Sequence, residues 1–371
     1  MVLMAALLVF AACGAEQNAG QEPAGQEPAG QEPAGQEPAE QESTEQESTE
    51  RTAPPEEPPR MPEDPPEAPE PAESPPLEEE PTGEVVDVGS PVEGVVADPE
   101  TGLVAMGTRE GGNLLLADGE SGEVEERVDV GGRARHLDLA EPGGPVLVPV
   151  EREDAFFVVG LPDGEIVEEV PVGDFPHDAA AYEGRFFVLN EFESTASVIE
   201  NGEITETFET PFQPGGVAIT DDGVVGIVGV RGLAVEFYDA ETLESLGRLE
   251  AGEGPTHIVA GSDGRFYATD TRGDALLVYD VSGSEPEMVE SIPLEGGSPY
   301  GIAIDREREE LWVTLAAENG VVRYDVGDGS PEEMERYPTV RQPNTVAVNS
   351  ESGRVFVTGS EGGDLQIFDP G

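Results

Sequence analysis

The chain of 371 residues contains no lysine, one cysteine, one tryptophan and three histidines. All 18 basic residues are therefore arginines, set against 80 acidic ones for a formal net charge of −62. A surface this uniformly negative repels phosphodiester backbones and acidic headgroups, which excludes nucleic acid and electrostatic membrane binding and favours solubility at high salt. A single thiol excludes an intramolecular disulfide. Without lysine, and with no nucleophile beside a base, no complete acid–base pair can be assigned, so the reading leans towards binding and away from catalysis. The apolar run at residues 2–12 is too short to cross a bilayer but has the length of a signal-peptide core.

That run ends in Phe10-Ala11-Ala12-Cys13-Gly14, which resembles the bacterial lipobox. The resemblance implies that Cys13 becomes an acylated N-terminus and that the protein is extracytoplasmic, held to the cell membrane only by its lipid. Residues 1–13 are then a signal peptide. Residues 14–82 follow as a linker: QEPAG three times from Gln21, QEPAE at 36–40, QESTE twice, then a Pro/Glu tract. With almost no aliphatic or aromatic side chains this stretch buries too little to offset chain entropy, so a disordered, extended tether is expected.

From residue 83 to 371 a short pattern recurs: proline, two variable residues, then an aliphatic residue or alanine. It reads Pro176-His177-Asp178-Ala179, Pro214-Gly215-Gly216-Val217, Pro255-Thr256-His257-Ile258, Pro299-Tyr300-Gly301-Ile302 and Pro343-Asn344-Thr345-Val346. Pro91-Val92-Glu93-Gly94-Val95 is one residue longer, and Ala134-Arg135-His136-Leu137 has lost its proline. Seven copies spaced by roughly forty residues are the signature of a radial repeat. Each unit alternates Val, Ile, Phe and Tyr between Gly, Asp and Pro turns, with no helical period, and holds three strands plus a charged fourth. The fold class is all-β, a seven-bladed β-propeller. The last unit stops at Phe368-Asp369 without its fourth strand, so the strand at 83–88 is expected to complete it and close the ring.

Segments such as Gly297-Ser298-Pro299-Tyr300-Gly301-Ile302-Ala303, Leu311-Trp312-Val313-Thr314 and Gly353-Arg354-Val355-Phe356-Val357-Thr358 resemble the YVTN repeat family, the YncE-like or lactonase-like propellers. The resemblance covers 83–371 and implies the fold. For function it implies a choice among lactonases, lyases, metal carriers and binding proteins, since a superfold hosts many chemistries.

The variable positions of the seven turns should line one mouth of the central channel, and all three histidines fall among them. His136, His177 and His257, with Asp178 or Glu93 as carboxylate, form the expected metal set. Imidazole and carboxylate from neighbouring blades suit zinc. Arg135-His136-Leu137-Asp138 and Pro176-His177-Asp178 resemble zinc-metallochaperone propellers, and Gly215-Gly216 would leave space in the intervening turn. The same face gathers Arg109, Arg135, Arg152, Arg231 and Arg272, which suit a carboxylated or phosphorylated ligand and equally suit salt bridges to nearby acids such as Glu151. The expectation is a monomeric binding propeller for a metal ion or small ligand. The alternatives are a lactonase- or streptogramin-lyase-like enzyme acting on a small anion, and a scaffold for another extracytoplasmic protein.

Overall fold

Short β-branched and aromatic runs separated by Asp/Gly turns leave the backbone one economical solution, the antiparallel meander. The turns repeat a local device: Asp118 accepts from the amide and hydroxyl of Ser121, and Asp239 does the same for Thr242. The computed structural model describes residues 61–262, 264–327 and 330–371. Cys13, the apolar run before it and the QEPAG repeats lie outside the described residues.

Seven antiparallel sheets surround a central channel. Blade one runs Val92–Ala97, Leu103–Thr108, Asn113–Asp118 and Val124–Asp129 from channel to periphery. Blades three to six repeat this order, with inner strands Pro176–Tyr182, Pro214–Ile219, Pro255–Ala260 and Pro299–Asp305. In blade two, where the turn lacks its proline, the inner strand is broken into Arg133–Ala134 and Asp138–Leu139. Residues 135–137 between them are released from strand pairing, and His136 lies there.

Blade seven consists of Pro343–Val348, Val355–Gly359, Asp364–Phe368 and, outermost, Glu84–Asp87. Glu84 pairs with Ile367 and Asp87 with Asp364, so the first strand of the domain completes its last blade. The core lies between adjacent sheets; Phe237 of blade four packs with tilted and edge-on rings against Phe266 and Tyr279 of blade five, all fully buried. Outer strands such as Glu203–Glu209 are largely exposed and acidic.

Residues 61–82 have no regular secondary structure, as the composition demands. The expected free linker nevertheless ends earlier than residue 82, because Pro69 and Ser74 are buried and backbone groups between Pro65 and Pro75 are hydrogen-bonded to the propeller. The linker's own composition gave no sign of this, since its partners are arginine, asparagine and glutamine side chains on the distant rim.

Candidate functional site

The inner strands converge on a channel of about 740 Å³, lined by His136, His257, Asp138, Asp178, Val217, Ile258 and Ile302 among others. Three tiers succeed one another along the inner strands from the face that carries the arginines.

The first tier is a buried ion cluster. Glu93 accepts from Arg133 Nε at 3.1 Å and Arg135 Nε at 3.2 Å, with Asn344 Nδ2 at 3.4 Å and Arg109 Nε at 3.7 Å. Burial alone would raise this carboxyl, but Arg135 and Arg133 outweigh it and hold Glu93 below the ordinary glutamate range. Its charge is consumed by these arginines, so it is not brought to the histidines as a metal ligand. Arg135 also reaches across to Tyr300 Oη at 3.3 Å.

The second tier unites the three histidines. The ring of His136 lies 4.6 Å from that of His177 and 4.5 Å from that of His257, centroid to centroid. His257 Nδ1 is 2.9 Å from the carbonyl oxygen of Tyr300, which can only accept, so the proton sits on Nδ1. His257 Nε2 is then the acceptor towards His136 Nε2, 3.2 Å away. Burial pushes His257 down to about 4, and burial, with the neighbouring rings and Arg135, holds His136 and His177 well below the ordinary imidazole range. All three are neutral at physiological pH.

The acids that meet His177 are Glu151 and Glu191. One ligand atom from each of Glu151, His177 and Glu191 lies within 4.8 Å of the others, and all three residues are buried. Glu151 Oε1, His177 Nδ1 and Glu191 Oε2 have no hydrogen-bond partner. The backbone of Gly215 is bonded to the His177 ring, which leaves Nδ1 as the free lone pair. Glu191 is steadied by Gln213 Nε2 at 2.6 Å, and burial raises its carboxyl to about 7. Burial raises Glu151 as well, against the opposing effect of Arg135.

Asp178, the expected partner of His177, is turned away. The strand register is irregular between Pro176 and Ala179, and Asp178 accepts from the amides of Ala179 and, in blade four, Val217. It belongs to the third tier with Asp138, where burial raises the pair to about 8 and about 7. Gly215-Gly216 does not open space either. A Cβ on Gly216 would stand 3.2 Å from His257 Cα, so the glycines let blade four close on blade five. Glu151 and Glu191 had a signal available: each sits at the end of the second strand of its blade, forty residues apart.

The rim arginines differ in their surroundings. Arg152 is exposed, in left-handed backbone with φ 66°. Arg231 donates to the carbonyls of Pro65 and Pro66, and Arg272 to that of Glu67.

No family model and no curated protein matches the chain by sequence. Solved structures do match. A hydrazine synthase structure from Kuenenia stuttgartiensis aligns with TM-score 0.67 at 15% identity, over 77% of this chain and 97% of that one. A streptogramin B lyase aligns with TM-score 0.65 at 15% identity, over 76% and 96%. The virginiamycin B lyase of Staphylococcus aureus gives 0.63 at 14%, over 78% and 99%. At these identities the likeness shows the architecture alone: a seven-bladed β-propeller.

Proposed function

We propose that the protein is a lipid-anchored, extracytoplasmic binding propeller that holds one divalent ion, zinc foremost, at Glu151, His177 and Glu191. The observation that carries the reading is the convergence of three buried ligating residues, each with one donor atom that no hydrogen bond satisfies. Buried carboxylates are costly, and Glu151, met by Arg133 and Arg135 only at 3.7 and 3.9 Å, and Glu191, held by the neutral amide of Gln213, stand together beside a neutral imidazole. A dication reverses that penalty, and the donor set suits zinc. Ligands about 2.1 Å from a tetrahedral ion stand about 3.4 Å apart, so closing on the ion requires side-chain rotation without backbone movement. The hydrogen bond that the His177 ring donates to the Gly215 backbone orients the imidazole as an outer-sphere partner does in metal sites. The anchor is proposed from Phe10-Ala11-Ala12-Cys13.

Calorimetric titration of the metal-free chain with zinc tests this. One ion per chain is expected at pH 8, with affinity falling below about pH 7 as Glu191 takes up its proton. His177→Ala should weaken binding at least tenfold, and His136→Ala less. Absence of binding by the wild type at micromolar concentration would overturn the reading.

A second reading rests on the neutral His136–His257 pair, which lines the channel and has one proton between its facing nitrogens. Such a pair beside a metal ion suits general acid–base work on a small lactone or lyase substrate. Its test is ring opening of small lactones by the zinc-loaded protein, with loss in His257→Ala while zinc remains bound.

A further inference from the structure

The segment laid across the arginine face is rich in proline, with Pro65, Pro66, Pro69, Pro71 and Pro75 among eleven residues from 65 to 75. Proline has no amide hydrogen, so such a segment offers mainly carbonyl acceptors. The rim answers with donors. Arg272 Nη2 reaches Glu67 O at 2.8 Å, Gln342 Nε2 reaches Ala72 O at 2.9 Å, Arg341 Nη2 reaches Ser74 O at 3.0 Å and Asn319 Nδ2 reaches Pro75 O at 2.9 Å.

Two of the segment's amides are read as well: Ala72 N donates to Ser298 Oγ at 3.0 Å and Ser74 N to Gln342 Oε1 at 2.9 Å. Gln342 thus clamps the peptide with both ends of its amide. Glu70 points at Arg135 at 3.6 Å and Glu73 at Arg341 at 3.5 Å. Ser74 is 2% exposed, its hydroxyl donating to Ala316 O and accepting from Gln342 N.

The seated core reads Glu70-Pro71-Ala72-Glu73. The same four residues stand at Glu37-Pro38-Ala39-Glu40, and Glu-Pro-Ala recurs at 22–24, 27–29 and 32–34. We propose that the arginine face is a recognition surface for an extended acidic Glu-Pro-Ala-Glu peptide, with residues 65–75 as its resident ligand and a free peptide of the same motif as an exchangeable one.

Tethering makes 65–75 the default occupant, since it lies close in the chain to the first propeller strand and is held at high local concentration. A peptide of the 37–40 sequence carries Gln41 where Ser74 follows the resident motif, and a glutamine does not fit the closed serine socket. This inference is independent of any metal.

The experiment uses the full chain carrying Ser74→Trp, which cannot enter the socket, with labelled peptides spanning 65–76 and 32–43 and a scrambled control, read by fluorescence anisotropy. The 65–76 peptide should bind this variant one to one and the wild type at least tenfold more weakly, because the wild type is already filled. The 32–43 peptide should bind the variant about tenfold more weakly than 65–76, having lost the serine hydroxyl bonds. Adding Gln342→Ala should weaken both tenfold or more. Circular dichroism and melting confirm that each variant is folded. The proposal is overturned if a folded Ser74→Trp chain binds neither peptide, if it binds 65–76 but not 32–43, or if the scrambled control binds equally well.

Discussion

Replacing Glu191 by glutamine keeps the side chain's shape and its acceptor for Gln213 but removes its charge. Burial raises this carboxyl from 4.5 to about 7. The folded chain therefore holds the proton more tightly than the unfolded one. The folding penalty is absent below about pH 4.5 and grows as pH rises, reaching its full value above about 7. The rise from 4.5 to about 7 corresponds to about 3 kcal/mol, and relaxation around the site reduces this to about 2 kcal/mol. Metal-free Glu191→Gln should thus melt above wild type at pH 8 by roughly 5 °C and match it near pH 4.5.

Zinc at a hundredfold its dissociation constant should stabilise the wild type by about 2.7 kcal/mol and the variant far less. The order of melting temperatures then reverses when the ion replaces chelator. Calorimetric scans at pH 8 in chelator and in zinc decide the matter. A variant that melts below wild type in chelator, or that gains as much from zinc, would refute the reasoning.

Arg135 Nη1 lies 3.9 Å from Glu151 Oε1, so Arg135→Ala should tighten zinc several-fold by calorimetry while lowering stability by about 2 kcal/mol through Glu93. An unchanged or weaker affinity would contradict the placement of the ion. Deleting residues 83–88 removes the strand that pairs with Asp364–Phe368 and should cost several kcal/mol, whereas deleting 14–60 should leave the melting temperature nearly unchanged. Equal melting of the two deletions would argue against closure by that strand. Cys13→Ser should move the protein from the membrane to the soluble fraction of cells, and persistence in the membrane pellet would rule out the lipid anchor.

The architecture was legible in the sequence because it is periodic. A turn recurring every forty or so residues, with β-branched strands between, specifies blades by local chemistry alone. The truncated seventh unit and the spare strand at 84–87 announced closure before any coordinate did. That the histidines would share a mouth also followed from their equivalent positions in the repeat.

Which acids join them did not follow. Asp178 is adjacent to His177 in sequence, yet its bonds to the amides of Ala179 and Val217 hold it the other way, whereas Glu191 reaches His177 from just past the end of a different strand. Glu93 looked available until Arg133, Arg135 and Arg109 closed on it. The proline-rich segment likewise carries no fold of its own; its place depends on Arg231, Arg272 and Gln342, more than 160 residues away along the chain. Strand pairing and turns are near-neighbour properties that a repeat writes openly. Charge pairing across the channel and the docking of an irregular segment depend on distances between remote residues, which exist only once the ring has closed.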